Sequence, residues 1–441
     1  MKAIFFAVSF FFSIQLVAQT SKQLDSIVSA FDKANIFHGV ALIANDGKIL
    51  LNRGYGWADA DLKKQNDPNL SYQVGSVTKQ FTAVAILKLQ EAGKLSVNDK
   101  ISKYFPAVKS ADKITIHHLL THTSGLYNYT NDTTFWLREA KLSSSQDKMI
   151  ARFADKPLDF EPGSKFSYSN SGYLLLGYII EKVSGKTYEQ FIRQEIFQPL
   201  GMNRSGFDFT AASNKATGYY DNGTAYMKAF IVDSSASYAA GAIYSTTGDL
   251  FKWVQAIHTQ KLLKPETWTT VLTPTKQNYA YGFIVQGTGE TKEIWHNGGI
   301  HGFLSHLVYF PSINASVILL SNYMQSDLNR LTKTLRAALF NKPFELPDQI
   351  NEIKLPVALL QQYTGTYQLT PAFAISVTLE GEKLMALATG QDTFEIYAEK
   401  ENLFFYKVVE AKIKFEKNSD GKVTNLILYQ NGMELKGKKI K

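Results

Sequence analysis

The stretch Gly75-Ser76-Val77-Thr78-Lys79-Gln80-Phe81, continuing to Gly93 as TAVAILKLQEAG, decides how the rest of this chain is read. From Ser76 to about Ala92 the spacing predicts a helix that Gly93 stops. Its apolar residues Phe81, Val84, Ala85, Leu87 and Leu89 are too many for one narrow stripe, so burial on most sides is expected. Ser76 and Lys79 stand three positions apart and share a helical face, so the lysine can reach the serine oxygen. A serine hydroxyl is a poor nucleophile until a base removes its proton. Burial disfavours an ammonium and turns a lysine into a proton acceptor. A serine in the first turn also sits in the positive field of the helix end, which favours a developing anion. The spacing alone is weak, because Ser-x-x-Lys recurs at Ser110–Lys113, Ser145–Lys148 and Ser419–Lys422. Only the first copy opens a strongly apolar helix.

Two further elements carry chemistry. Tyr168-Ser169-Asn170 precedes a helical run from Gly172 to Val183. A tyrosine near a lysine can relay a proton, and an asparagine can hydrogen-bond a substrate amide. The bare Tyr-x-Asn pattern also occurs at Tyr129–Asn131, Tyr220–Asn222 and Tyr429–Asn431. His296-Asn297-Gly298-Gly299 follows Glu293–Trp295 and is the single His-x-Gly of the chain. Glycines beside a strand let backbone approach a ligand, so an N–H there can stabilise an oxyanion. Taken by itself, His296 also reads as a satisfied structural histidine. No Gly-x-Ser-x-Gly elbow and no Gly-rich phosphate loop is present. His118 and His122 are four apart, the helical spacing zinc uses, but Leu119 follows where a zinc peptidase needs its Glu base. Both are read as packing or capping a short helix, Ile116–His122, closed by Ser124-Gly125, and no metal is expected.

Composition narrows the classes. With 47 Lys+Arg against 39 Asp+Glu the net charge is +8, mild over 441 residues and read as a solvated surface rather than a nucleic-acid footprint. The absence of cysteine excludes disulfides, thiolate zinc sites, iron–sulfur clusters, cysteine nucleophiles and a lipid-modified N-terminal cysteine. Lys2, the apolar run Ala3–Val17, then Ala18 and Gln19 read as a secretory signal peptide cut near residues 18–20. The run is shorter than the roughly 20 residues a membrane span needs. The expectation is export to the periplasm or beyond, without a stable membrane anchor.

Gly39–Ala44 and Lys48–Leu51 flank Asn45-Asp46-Gly47 and predict a hairpin. Pro343, Pro347 and Pro356 punctuate a linker at Lys342–Val357. Beyond it, Ile375–Leu379, Phe394–Tyr397, Leu403–Val409, Ile413–Phe415 and Val423–Tyr429 alternate as short strands, with turns at Glu380-Gly381, Asp420-Gly421 and Asn431-Gly432. A small antiparallel barrel or sandwich is expected there, and Lys436, Lys438, Lys439 and Lys441 are read as a solvated tail. The division is a leader at 1–19, a mixed domain at 20–345 and a β domain at 346–441.

The order of the three chemical elements resembles the serine β-lactamase and penicillin-binding-protein superfamily, most closely its class C and D,D-peptidase branch. Ile114–Leu126, Phe166–Met202 and Ala239–Leu250 read like its recurrent segments, and the resemblance covers about residues 25–340. It implies an α+β fold: a central antiparallel sheet flanked by helices plus a helical subdomain. It makes Ser76 the acylated nucleophile, Lys79 its proton partner, Tyr168 the general base or relay, and Asn170 a substrate amide contact. His296, Gly298 and Gly299 become the substrate-binding strand, with the N–H groups of Ser76 and Gly299 forming the oxyanion hole. No cofactor is implied. Where the β-lactam-hydrolysing members carry Lys-Thr-Gly, this chain has His296-Asn297-Gly298. A histidine is mostly neutral at pH 7, so binding of free carboxylates, penicillins included, should weaken. The resemblance therefore implies a hydrolase of a small peptide, amide or ester, of D-amino-acid peptidase or esterase type. A β-lactamase, or a penicillin-binding or sensor-like protein without turnover, remains the alternative. The C-terminal segment resembles a lipocalin-like β domain through Tyr363-Thr364-Gly365-Thr366-Tyr367, Gly421–Val423 and Leu428–Gly432. The oligomeric state is not legible in the sequence.

Overall fold

The computed structural model describes residues 20–221, 226–347, 352–406, 409, 411–430 and 433–441. The expected leader and the turn at Asn431-Gly432 lie outside these residues, as does Asn222. The chain forms two compact units, one ending at Pro343 and one running from Phe344 to Lys441.

In the first unit, Asp46 and Gly47 take φ of 49° and 69°, the left-handed pair that a two-residue hairpin requires. They join β1 (Gly39–Asn45) to β2 (Lys48–Tyr55), with Asn45 opposite Lys48. The sheet is completed by β3 (Ile284–Gln286), β4 (Glu293–Ile300), β5 (Phe303–Phe310) and β6 (Ala315–Ser321). Its six strands run β2-β1-β6-β5-β4-β3, every neighbour antiparallel. β1 pairs β6 from Gly39↔Ser321 to Ala44↔Ser316, so the two ends of the unit are stitched at the centre of the sheet. Helices Thr247–His258 and Leu328–Leu339 pack against it.

The helical part is built on α1 (Thr78–Glu91), preceded by a 3₁₀ turn at Gly75–Val77 that holds Ser76. Every residue from Thr78 to Leu87 is buried, as is Leu89, which agrees with the sequence pattern. Phe81 stacks on Trp253 with centroids 4.2 Å apart, and Trp253 Nε1 donates to Gln80 Oε1 at 2.8 Å. The second buried helix, α2 (Asn170–Ser184), starts two residues earlier than expected and ends at Gly185, whose φ is 71°. The expected helix Ile116–His122 ends at Leu120 instead. His122 adopts φ 55°, which no continuing helix allows, while His118 accepts the Thr115 N–H and caps the start.

The second unit is a closed barrel of eight antiparallel strands in chain order, from Gly365–Thr370 to Met433–Lys439. The first and last strands close it through Tyr367↔Lys439 and Gln368↔Lys438. Lys436, Lys438 and Lys439 are therefore strand residues, not a tail. Lysines at exposed positions are compatible with a strand, because alternate side chains point away from the barrel interior. Strands Gly365–Thr370 and Lys383–Ala388 were likewise unforeseen.

Phe81→Ala should destabilise the first unit by about 3–5 kcal/mol, since it empties a fully buried ring site. Urea unfolding measures this. A loss below about 1 kcal/mol would mean that Trp253 and Phe197 collapse into the space.

Candidate active site

Backbone packing places Ser76. The end of β4 lies against the turn that carries it, and glycines make the approach possible. Gly75 has φ 51°, and a Cβ there would stand 2.9 Å from Gly299 N and 3.0 Å from Gly299 O. A Cβ on Gly298 would meet the Val74 carbonyl, come within 2.5 Å of Ser305 Oγ and reach 3.0 Å from Ser76 N. Ser305 Oγ donates to the Val74 carbonyl at 2.7 Å, which ties β5 to the same turn.

Lys79 is wholly buried one helical turn after the serine. Its Nζ lies 3.0 Å from Ser76 Oγ, 2.8 Å from Asn170 Oδ1 and 2.7 Å from the Ala240 carbonyl oxygen. Burial holds the amine well below the ordinary lysine range, so the neutral form is favoured. Asn170, the first residue of α2, is fixed in turn. Its N–H donates to Asn128 Oδ1 and its Nδ2 to Thr130 Oγ1, both at 3.0 Å. The Tyr168 ring centroid is 4.8 Å from Lys79 Nζ. Burial pushes the Tyr168 phenol well above its ordinary value, while a hydrogen bond with Ser76 acts the other way. Ser76, Lys79, Tyr168 and Asn170 thus form one cluster.

The late-strand residues fall into two groups. Gly299 and Ile300 line the cavity that holds Ser76, whereas His296 and Gly298 are buried and do not line it. The His296 ring nitrogens sit 3.1 Å from Tyr279 Oη and 2.6 Å from the Asn297 carbonyl. Burial, aided by Lys79, pushes its pKa down to about 3, so it is neutral. His296 is thus a buried neighbour of the cluster, its ring centroid 6.4 Å from that of Tyr168, and like Lys79 and Tyr168 it does not line the cavity.

The cavity has a volume of about 290 Å³, and none of the described residues lining it carries a formal charge. Tyr129, Thr130 and Trp136 contribute to its wall beside Asn170 and Gly299. Sequence reading passed over these three. Tyr129 and Thr130 belong to a Tyr-x-Asn copy that looked like background, and the only available signal was its position just after Ser124-Gly125.

The first unit matches the family model described as Beta-lactamase over residues 24–342. The chain belongs to that family. Residues 351–441, most of the barrel unit, match a domain of unknown function, DUF3471. Penicillin-binding protein 4* of Bacillus subtilis (strain 168) is 29% identical over 442 residues, covering 94% of this chain and 97% of its own. The octameric penicillin-binding protein homologue from Pyrococcus abyssi superposes with a TM-score of 0.69 at 24% identity, covering 94% of this chain and 99% of that one. The D-amino acid amidase from Ochrobactrum anthropi SV3 gives a TM-score of 0.65 at 22% identity, over 73% of this chain and 99% of that one. The last two likenesses concern the fold.

Gly298→Ala should force β4 away from the Ser76 turn. The expected result is a lower thermal midpoint together with slower labelling of Ser76 by a fluorophosphonate probe. Labelling at the unaltered rate would show that this close approach is dispensable.

Proposed function

We propose that the chain is an exported serine hydrolase that forms an acyl-enzyme on Ser76 and acts on a small, uncharged peptide amide or ester. The observation that carries this reading is the hydrogen-bond inventory of Lys79. A neutral amine has two N–H donors and one lone pair. The Asn170 Oδ1 and Ala240 carbonyl can only accept, so they take the two donors. The lone pair is left facing the Ser76 hydroxyl. In this reading Ser76 gives its proton to Lys79 as Oγ bonds to the substrate carbonyl carbon. The oxyanion forms beside the N–H groups of Ser76 and Gly299. As the C–N or C–O bond breaks, the leaving group takes a proton from the Lys79 ammonium through the neutral Tyr168 hydroxyl. Water then hydrolyses the ester on Ser76 and frees the acid.

The uncharged cavity and the neutral, buried His296 support a substrate without a free carboxylate. The O. anthropi D-amino acid amidase, sharing the fold, is consistent with amide substrates of D-residues. Export rests on the leader reading of residues 1–19; a mature product lacking about 19 residues by intact mass is the expected outcome.

Three substrates test the proposal: a nitrophenyl ester, a D-alanine-terminated peptide and that peptide as its amide. Wild type should turn over the ester and prefer the amidated peptide to the free acid. Ser76→Ala should lose turnover by a factor on the order of a thousand. A fluorophosphonate adduct mapped to another serine would remove Ser76 from its role. Fast hydrolysis of a chromogenic cephalosporin, which carries a carboxylate, would favour the β-lactamase alternative. A burst of one equivalent without turnover would favour the sensor-like alternative.

The pH dependence follows from Lys79. Its folded pKa is depressed, so the amine is the majority form above that value and the ammonium below it. Acylation should therefore rise with pH through a single protonation at a value below the ordinary 10.5, then level off. Stopped-flow kcat/KM profiles on the neutral ester measure this, and a flat acid limb would contradict Lys79 as the base.

A further inference from the structure

His122 is fully buried, stands outside the steps just described, and holds the Tyr168 segment from both sides. Its carbonyl accepts the Ser167 N–H at 2.9 Å, and its Nδ1 accepts the Ser169 N–H at 3.1 Å. These two N–H groups flank Tyr168 in the chain. The imidazole also packs on the Tyr168 ring, with centroids 4.2 Å apart and planes 36° apart. On its other sides it meets Tyr279 at 4.6 Å, Tyr173 at 5.1 Å and Phe166 at 5.9 Å.

Two features argue that this is more than filling of space. His122 adopts φ 55°, a conformation rare for a residue with a Cβ. Turning out of the short helix in this way accompanies the use of both its carbonyl and its ring toward residues 167–169. In addition, because Nδ1 accepts an N–H, the ring proton sits on Nε2. Nε2 is buried with no hydrogen-bond partner among the described residues. A phenylalanine would fill the same volume and remove the unmatched Nε2, but it would leave the Ser169 N–H without its acceptor. What the histidine supplies is the acceptor at Nδ1. Burial, with Lys79 and His296 nearby, keeps the ring neutral, so that acceptor persists.

We propose that His122 is the positioning residue that fixes the Tyr168 hydroxyl against Ser76, by bracketing Tyr168 between two backbone hydrogen bonds. This rests on the roles of Ser76 and Tyr168 given above. The part that matters is the acceptor. Asparagine places Oδ1 close to where Nδ1 lies and tolerates a left-handed backbone, whereas phenylalanine keeps a ring and loses the acceptor.

The test compares His122→Phe and His122→Asn on a nitrophenyl ester, each alone and combined with Tyr168→Phe. His122→Phe should lower kcat about tenfold with KM nearly unchanged, and His122→Asn should stay within about threefold of wild type. In the Tyr168→Phe background, His122→Phe should cost less than about twofold, because the group it positions is already gone. If His122→Phe does not fold, His122→Ala against His122→Asn supplies a second pair differing in the same acceptor, with the same expected contrast. An equal loss in both backgrounds would overturn the proposal, as would a His122→Asn enzyme as slow as His122→Phe. A Tyr168→Phe enzyme with full kcat, or a Ser76→Ala enzyme that still turns over, would instead bring down the functional reading beneath it.

Discussion

A primary amine with no exposure to water must find its partners inside the protein, and Lys79 finds all of them as oxygens. Leaving such a group unpaired in a low-dielectric interior would cost several kcal/mol. Its three partners come from three separate places: the turn before α1, the first residue of α2, and the segment around Ala240. One nitrogen therefore couples the positions of all three. The segment near Ala240 shows how closely. Helix α3 (Ser234–Gly241) is broken at Tyr238, which takes φ 37° and ψ −130°. The two carbonyls just after the break both turn to α1, Ala239 accepting from Thr82 Oγ1 at 2.7 Å and Ala240 from Lys79. In an unbroken helix those carbonyls would be directed along the axis toward later N–H groups. Both belong to the last turn, where no intrahelical N–H remains for them, and the break at Tyr238 directs them to α1 instead.

The sheet supplies the other boundary of the site. β4 contributes backbone rather than side chains, because Gly298 and Gly299 let it lie against the Ser76 turn. Strand alternation then assigns the roles. His296, Gly298 and Ile300 are buried while Asn297 and Gly299 are exposed, so the buried face meets the turn and the aromatic layer.

Much of this was legible in the sequence. The residues that must be unusual are written into it: a polar Ser76–Lys79 pair in a helix otherwise apolar, Asp46-Gly47 where two positive φ angles are needed, Gly185 where α2 stops. Ser76, Lys79, Tyr168 and Asn170 converge because motif order encoded their meeting. His296 was harder. The motif names the residue but not its burial, and in the fold the His296 ring is enclosed by Tyr279 and Tyr168 while the end of the strand lines the cavity. Tyr129 and Thr130 were missed for a related reason: a three-residue pattern with several copies has meaning only through its place in the fold. The last barrel strand escaped because Lys436, Lys438 and Lys439 masked the alternation of Leu435 and Gly437. Closure of the barrel is a contact between strands some seventy residues apart, and local composition does not report it.

The protonation states around Ser76 fit together into a single electrostatic design. Burial drives the Lys79 amine, the His122 and His296 imidazoles and the Tyr168 phenol all toward their neutral forms. A charged Lys79 would disfavour a charge on either histidine, so a charge on one of these groups weighs against a charge on the others. Before reaction the cluster is biased toward neutrality, and none of the described residues lining the cavity above it is charged. In the proposed mechanism, transfer of the Ser76 proton creates a single cation, at Lys79, as negative charge develops on the substrate oxygen nearby. In a desolvated site that attraction is far stronger than in water, and no resident counterion competes for it. On the proposed mechanism, a substrate carboxylate would enter a cavity whose described lining offers no cation to receive it. On this proposal, the same neutrality that makes the lysine a base would also select against charged substrates, without any residue placed in the cavity to repel them.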